Sequence, residues 1–337
     1  MRRDSAIDAC FSDTPSRLVG PVVLMAALLL GGCVNLDMGN LRRGEMRESV
    51  VQGDAGPKIL LLDIDGEITS ADASGVLGWV IREGTVGRVQ DQLELARKRD
   101  DIVAVLLRID SPGGSPTASD AIYQQILAFK QESKLPVVAQ FMSMGTSGAY
   151  FIAMAADEVV ATRTSVTGSI GVILLGLNLS GLMEKVGVEN QTMTSGDFKD
   201  AGSMFRPMTD EDRAQIQSVV DDLYVEFVSA VDAGRPKLDE EQVRKLADGR
   251  IYSARQALEA GLVDRIDSLE GSIDKLRLQL GAETVRVVAY HRRNESPSNI
   301  YSHSTVVEEI ELSRDPLARI WPRPGFYYLW WPGAAMR

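Results

Sequence analysis

Apolar positions along this 337-residue chain fall into two patterns. Residues 58–68 (KILLLDIDGEI), 102–110 (IVAVLLRID), 135–142 (LPVVAQFM) and 158–162 (EVVAT) are short, β-branched-rich runs with little polar alternation. That is the pattern of strands covered on both faces. Between them, residues 86–99, 117–132 and 148–156 carry apolar side chains at helical spacing, so strand and helix alternate and predict a parallel α/β layout. Beyond residue 208 the pattern turns mostly helical. Thr209-x-x-Asp212 opens a long amphipathic segment to Ala233, and Asp239-x-x-Gln242 and Ser253-x-x-Gln256 open two more, each a capping box or a close variant.

The ends of the chain do not share this pattern. Arg2, Arg3 and Arg17 precede an apolar run at 18–30 (LVGPVVLMAALLL) that ends in Leu30-Gly31-Gly32-Cys33. The run is short for a membrane span and has the build of a secretion signal, and small residues before a Cys resemble the lipobox of bacterial lipoproteins. Residues 1–32 are therefore expected to be a signal peptide. Cys33 would be lipidated and tie the chain to a membrane on its extracytoplasmic side; an uncleaved anchor, or a chance Cys after an apolar run, is the alternative. Loss of Cys10 with the signal leaves no thiol for a disulfide or a Cys-based site. Residues 33–57 are polar, Gly-containing and aperiodic, as a flexible tether is, and order is expected to begin near Lys58. Residues 58–290 then form the folded body. From 291 to 337 the composition turns polar and then aromatic, and regular packing is not expected there.

Charge narrows the partners. A formal net charge of −11 argues against nucleic acid and against a polybasic hold on anionic lipid.

Histidine narrows the chemistry further. The two histidines, His291 and His303, both lie in the tail, which disfavours a Ser-His-Asp triad or a His-rich zinc site in the body. No metal or cofactor is expected. Residues 143–157 (SMGTSGAYFIAMAAD) surround Ser147 with small residues at a loop-to-helix junction, which suits a nucleophile or, equally, a plain helix N-cap. If Ser147 is a nucleophile, its base must be another residue type, and Lys is the established alternative. Lys199 stands in a Gly-containing loop, 194–202, after an expected strand at 190–194; a surface lysine held charged by Asp197 and Asp200 is the other reading. Residues 108–115 (RIDSPGGS) are a strand end breaking into Pro-Gly-Gly, where bare N–H groups could approach a ligand. In 166–172 (VTGSIGV) hydroxyls could orient an amine, or form a simple turn.

Taken together, RIDSPGGS, SMGTSGAYFIAMAAD, VTGSIGV, TSGDFKDAGSMFRPMT and GRIYSARQALEAGLVD resemble, in order and interval, the signal peptide peptidase A (SppA) family of Ser–Lys peptidases in its short form. The resemblance spans residues 58–286. It implies Ser147 as nucleophile, Lys199 as general base, the backbone N–H groups of Gly114 and Gly148 as oxyanion donors, and Ser169 as the residue orienting Lys199. It also implies a ClpP/crotonase-like spiral of β-β-α units with a helical C-terminal part, and a homo-oligomeric ring with sites shared between subunits. Implied substrates are signal peptides and other extended apolar peptides. Two positions depart from the family pattern: Asp110 stands where Asn is frequent, and Ala149 where Gly is common. The rival readings are a lipid-anchored scaffold that binds peptides without cutting them, and a crotonase-type acyl-transfer enzyme. For the aromatic stretch 318–337, three roles are open: contact with the membrane interface, occupation of the peptide groove as a gate, or core.

Overall fold

The computed structural model of the protein describes residues 46–74, 80–292, 297–302 and 325–330. These belong to a compact unit running from Arg43 onward, while the unit Met1–Arg42, with the expected signal peptide and Cys33, lies outside the described residues.

The strands are β1 (Arg47–Gln52), β2 (Lys58–Asp65), β3 (Ala73–Ser74), β4 (Val80–Arg82), β5 (Ile102–Ser111), β6 (Gly113–Gly114), β7 (Val137–Thr146), β8 (Glu158–Ala161), β9 (Val166–Gly168), β10 (Ile173–Leu175), β11 (Ile251–Ser253), β12 (Arg265–Ile266), β13 (Arg286–His291) and β14 (Gly325–Leu329). The helices are α1 (Thr85–Arg97), α2 (Pro116–Ser133), α3 (Gly148–Ala153), α4 (Ser180–Lys185), α5 (Asp210–Gly234), α6 (Glu240–Leu246), α7 (Ala254–Glu259) and α8 (Leu269–Gln279). Nine strands form the main sheet in the order β1-β13-β2-β5-β7-β8-β12, with β9 beside the end of β7 and β11 beside β9. Its ladders from β13 to β12 are parallel, and β1 closes one edge antiparallel. A smaller sheet runs β10-β14-β6.

Strand β2 explains the missing polar alternation. Ile59 and Leu61 enter one core cluster with Leu106, Val138 and Ile273, whereas Leu60, Leu62 and Ile64 enter another with Val89, Leu107, Ile126 and Phe141. Successive side chains point to opposite faces, and helices cover both faces: α1 and α2 on one, α8 on the other. Each aliphatic residue so buried contributes about 1.5–3 kcal/mol of transfer free energy. Buried Arg108 interrupts the apolar run of β5. It forms a two-pronged pair with Asp63 (Nε–Oδ1 2.7 Å, Nη2–Oδ2 2.6 Å) and donates to the carbonyls of Ile300 and Ser302, clamping the segment after β13 onto the sheet. All three expected capping boxes, at Thr209, Asp239 and Ser253, are formed.

Three expectations need correction. Order begins before Lys58, because Arg47–Gln52, assigned to the tether, pair with β13 and bury Val51 against the sheet. Residues 190–194 are not a strand; the Asn190 side chain takes the N–H and hydroxyl of Thr192 at 3.0 and 2.6 Å, a local turn that competes with a ladder. Gly325–Leu329 does pack regularly, as the middle strand of the small sheet, since β6 and β10 supply the hydrogen-bonding partners that its own sequence cannot announce.

Candidate active site

Strand β7 ends at Thr146 and α3 begins at Gly148, leaving Ser147 to turn the chain. It does so at φ 54° and ψ −119°, a conformation that L-residues rarely adopt. Its N–H donates to the Gly168 carbonyl at 2.7 Å, and its carbonyl accepts from the Phe151 N–H at 2.9 Å. Ser147 thus occupies the N-cap position, yet its side chain makes no capping bond. Its Oγ is buried and has no hydrogen-bond partner. A buried unpaired hydroxyl costs about 1–3 kcal/mol, and a strained backbone of this kind about as much again. Two costs in one residue are what a held nucleophile looks like, and a capping serine would incur neither.

Gly113 and Gly114 lie across from it. Strand β6 is held on one side by Ile68, whose N–H donates to the Gly113 carbonyl and whose carbonyl accepts from the Ser115 N–H, both at 2.9 Å. A Cβ on Gly114 would sit 2.2 Å from the Ile68 carbonyl oxygen, and one on Gly148 would sit 2.4 Å from Ser119 Oγ and 3.3 Å from the Gly114 nitrogen. The two expected oxyanion donors are therefore neighbours, and glycine is required for them to approach. Asp110, the first departure from the family pattern, accepts from the Met144 N–H at 3.0 Å and from Ser143 Oγ at 3.1 Å, tying the end of β5 to the approach of β7 to Ser147. Ala149, the second, is fully buried within α3.

Ser169 is also buried and also at positive φ (50°), with its N–H on the Arg250 carbonyl at 2.8 Å. Because the preceding residue, Gly168, accepts from Ser147, Ser169 stands one peptide away from the candidate nucleophile. Lys199 does not join them. It is exposed in a loop, and Ser147 Oγ has no bonded neighbour, so one chain brings together Ser147, Gly114, Gly148 and Ser169 but not the lysine. That loop is anchored just beyond it: Arg206 grips Asp200 at 2.8 and 2.9 Å and also pairs with Asp212 at the start of α5. Arg206 holds Asp200 below the ordinary carboxylate range and, aided by the Thr209 N–H, pulls Asp212 down to about 2. His291 is no substitute base. Its ring nitrogens face Ser49 Oγ and the Arg292 carbonyl, both at 2.8 Å; His303 lies outside the described residues.

Sequence reasoning did not single out the aromatic pocket beside Ser147. Phe151 of α3, Phe227 of α5 and Tyr328 of β14 pack edge-on or tilted with centroids 4.7–5.5 Å apart. The aromatic crowding of the tail was the available signal.

Residues 129–283 match the family model described as peptidase family S49, and residues 72–174 match that described as Clp protease. A candidate signal peptide peptidase SppA of Enterococcus faecium is 31% identical over 292 residues, covering 83% of this chain and 84% of its own. A candidate protease of Synechocystis sp., slr0021, is 46% identical over 167 residues, 50% of this chain and 59% of that protein. Among solved structures, a 1510-N membrane-bound stomatin-specific protease aligns over 66% of this chain and 85% of its own, with 16% identity and a TM-score of 0.42. The mostly parallel sheet with its crossover helices is of the ClpP-like α/β type.

Proposed function

This chain belongs to peptidase family S49, a family of serine peptidases, and on that premise we propose that it is an endopeptidase cutting extended apolar peptides, signal peptides among them, with Ser147 as nucleophile and Lys199 as general base. The observation that carries this reading is the buried, unpaired hydroxyl of Ser147 on a strained backbone beside the amides of Gly114 and Gly148. In the reaction, the Lys199 amine takes the Ser147 proton and Oγ attacks the peptide carbonyl. The two amides hold the oxyanion, and Lys199 returns the proton to the departing amine. A water deprotonated by Lys199 then hydrolyses the acyl-enzyme, and Ser169 orients the lysine throughout.

Lys199 reaches Ser147 from a neighbouring subunit in this reading. Its surroundings support that: Leu182, Val186, Met193, Phe198 and Phe205 are all exposed on residues 177–205, and α4 has no buried residue. An apolar surface of that kind around the missing base suits a subunit contact in a ring. The run at 18–30 followed by Gly31-Gly32-Cys33 supports a lipid anchor that would hold the site at an extracytoplasmic membrane face.

Mixing two inactive variants tests the arrangement. Ser147→Ala and Lys199→Ala chains should each fail to hydrolyse peptides, and co-assembled they should regain activity, because some sites then receive an intact serine and an intact lysine. No recovery in verified mixed oligomers would refute shared sites. Labelling by a fluorophosphonate probe, lost in Ser147→Ala, tests the nucleophile itself; an unlabelled native chain would favour the scaffold or crotonase-type reading.

A further inference from the structure

The two halves of the site arrive on different strands. Gly114 follows β5 and Ser147 follows β7, so the gap between amide and hydroxyl depends on how those strands run side by side. Their parallel ladder keeps register from Val105–Val137 to Ile109–Phe141, then slips and resumes at Ser111–Gly145. One residue of β5, Asp110, is therefore opposed by three of β7, Met142, Ser143 and Met144. Strand β5 keeps its register with β2 there, because Asp110 stays paired with Asp65 and its carbonyl accepts from the Gly66 N–H at 3.0 Å. The excess is taken up by β7 as a bulge that ends three residues before Ser147.

The bulge lies where β7 changes neighbours, leaving β8 after Phe141 and joining β9 at Met144. Main-chain groups that have lost a ladder must find other partners, and here side chains supply them. From the β8–β9 connection, Thr162 Oγ1, at 2.8 Å, and Ser165 Oγ donate to the Met142 carbonyl. From β5 the partner is the Asp110 carboxylate, whose Oδ1 accepts from the Met144 N–H at 3.0 Å and Oδ2 from Ser143 Oγ at 3.1 Å. The Phe141 ring lies against Gly145, where a Cβ would sit 2.2 Å from it. On β5, the buried Ser111 hydroxyl accepts from the Gly113 N–H at 3.1 Å and fixes the turn that presents Gly114. A bulge re-aims the residues beyond it, and those beyond this one lead into Ser147.

We propose that Asp110 is a positioning residue for the reaction: its carboxylate braces the β7 bulge against β5 and so holds Ser147 at its working distance from the Gly114 amide. The proposal rests on the reading of Ser147 as nucleophile. The carboxylate bonds to Met144 and Ser143 rather than to Ser147, so it acts through the strand. Where the brace is lost the hydroxyl drifts, and a misplacement of about 1 Å costs about 10²-fold in rate. Asparagine keeps the brace, its carbonyl oxygen accepting from Met144 and its amide donating to Ser143; alanine removes both bonds.

The test compares Asp110→Ala, Asp110→Asn and Asp110→Glu in the full chain, well below its unfolding temperature. Three quantities are read: hydrogen exchange over residues 142–148, the rate of labelling by a fluorophosphonate, and kcat and KM for a peptide. The fluorophosphonate needs the hydroxyl and the amides but no peptide contact. Asp110→Ala should speed exchange of the Met144 amide at least about tenfold, the bond that protects it being gone. Labelling and kcat should fall about ten- to a hundredfold while KM changes less than about twofold. Asp110→Asn should bring labelling and exchange back to within about threefold of the parent, the worth of a modest change in one hydrogen bond. Asp110→Glu keeps the charge but carries it one methylene too far out; it should be labelled as slowly as the alanine variant, and keeps the test decisive if Asp110→Ala fails to fold. Asp110→Ala or Asp110→Glu chains labelled as fast as the parent, even if less stable to urea, would overturn the proposal, as would an asparagine variant as slow as alanine. A parent whose exchange responds as expected but which is neither labelled nor hydrolytic would overturn the peptidase reading, and the proposal with it.

Discussion

Replacing Ser147 should make the protein inactive and more stable at once. In the single chain, Ser147→Ala deletes a buried hydroxyl that has no partner, relieving a desolvation cost of about 1–3 kcal/mol, and leaves the backbone at φ 54°. Ser147→Gly removes the hydroxyl and tolerates the positive φ as well. Its gain in strain, about 1–3 kcal/mol, is offset by roughly 0.5–1 kcal/mol for the freedom glycine adds to the unfolded chain. Ser147→Ala should therefore be about 1–3 kcal/mol more stable than the parent, and Ser147→Gly at least as stable as the alanine variant. The parent should carry Lys199→Ala, so that an amine from a neighbouring subunit does not satisfy the hydroxyl. With Lys199 present the gain should shrink, and the difference between the two backgrounds measures the serine–lysine coupling. Urea unfolding at fixed protomer concentration reads the change as a shift of midpoint at constant slope. A loss of more than about 1 kcal/mol for Ser147→Ala in both backgrounds would refute the reasoning, since the hydroxyl would then have a structural partner.

If Lys199 is the base, Lys199→Ala should cut the peptide turnover number by ~10²–10⁴ or more while the far-ultraviolet circular-dichroism spectrum stays that of the folded parent, because the side chain is exposed in the single chain. The anchor of the Lys199 loop should open in acid: Asp212, drawn down to about 2 by Arg206, favours the folded state as a carboxylate, an advantage complete above about pH 4 and lost as the pH falls towards 2. Hydrogen exchange over residues 200–212 should accordingly accelerate between pH 4 and 2, and Arg206→Ala should show fast exchange already at pH 5; protection independent of pH would refute the link. Arg108→Ala leaves Asp63 short of its two-pronged partner and frees the Ile300 and Ser302 carbonyls, and should lower stability by about 3–5 kcal/mol in urea unfolding, a change below 1 kcal/mol being the contrary result.

What the sequence revealed follows from how local each signal is. The β2 and β5 runs and the capping boxes depend on side chains a few positions apart, so patterning alone located them. The position of Ser147 between strand and helix was equally local. Its φ was not, because only the surrounding packing can hold a serine there. Strand β1 escaped notice because RESVVQ is too polar to look like a strand until β13 covers it, and β14 because its partners are a glycine pair and a three-residue strand far away in the chain. Lys199 was legible as a residue type in a Gly-containing loop, while its separation from Ser147 in one chain had no counterpart in spacing.

If peptides enter as β14 lies, between β6 and β10, that slot sets a condition on what can be cut. A segment already laddered into its own sheet, or coiled into a helix, has its main-chain N–H and C=O groups committed and cannot offer them to both sides of the slot. Admission is thus decided by backbone that is unclaimed, before any side chain is read. On those terms loose ends qualify and segments inside folded proteins do not.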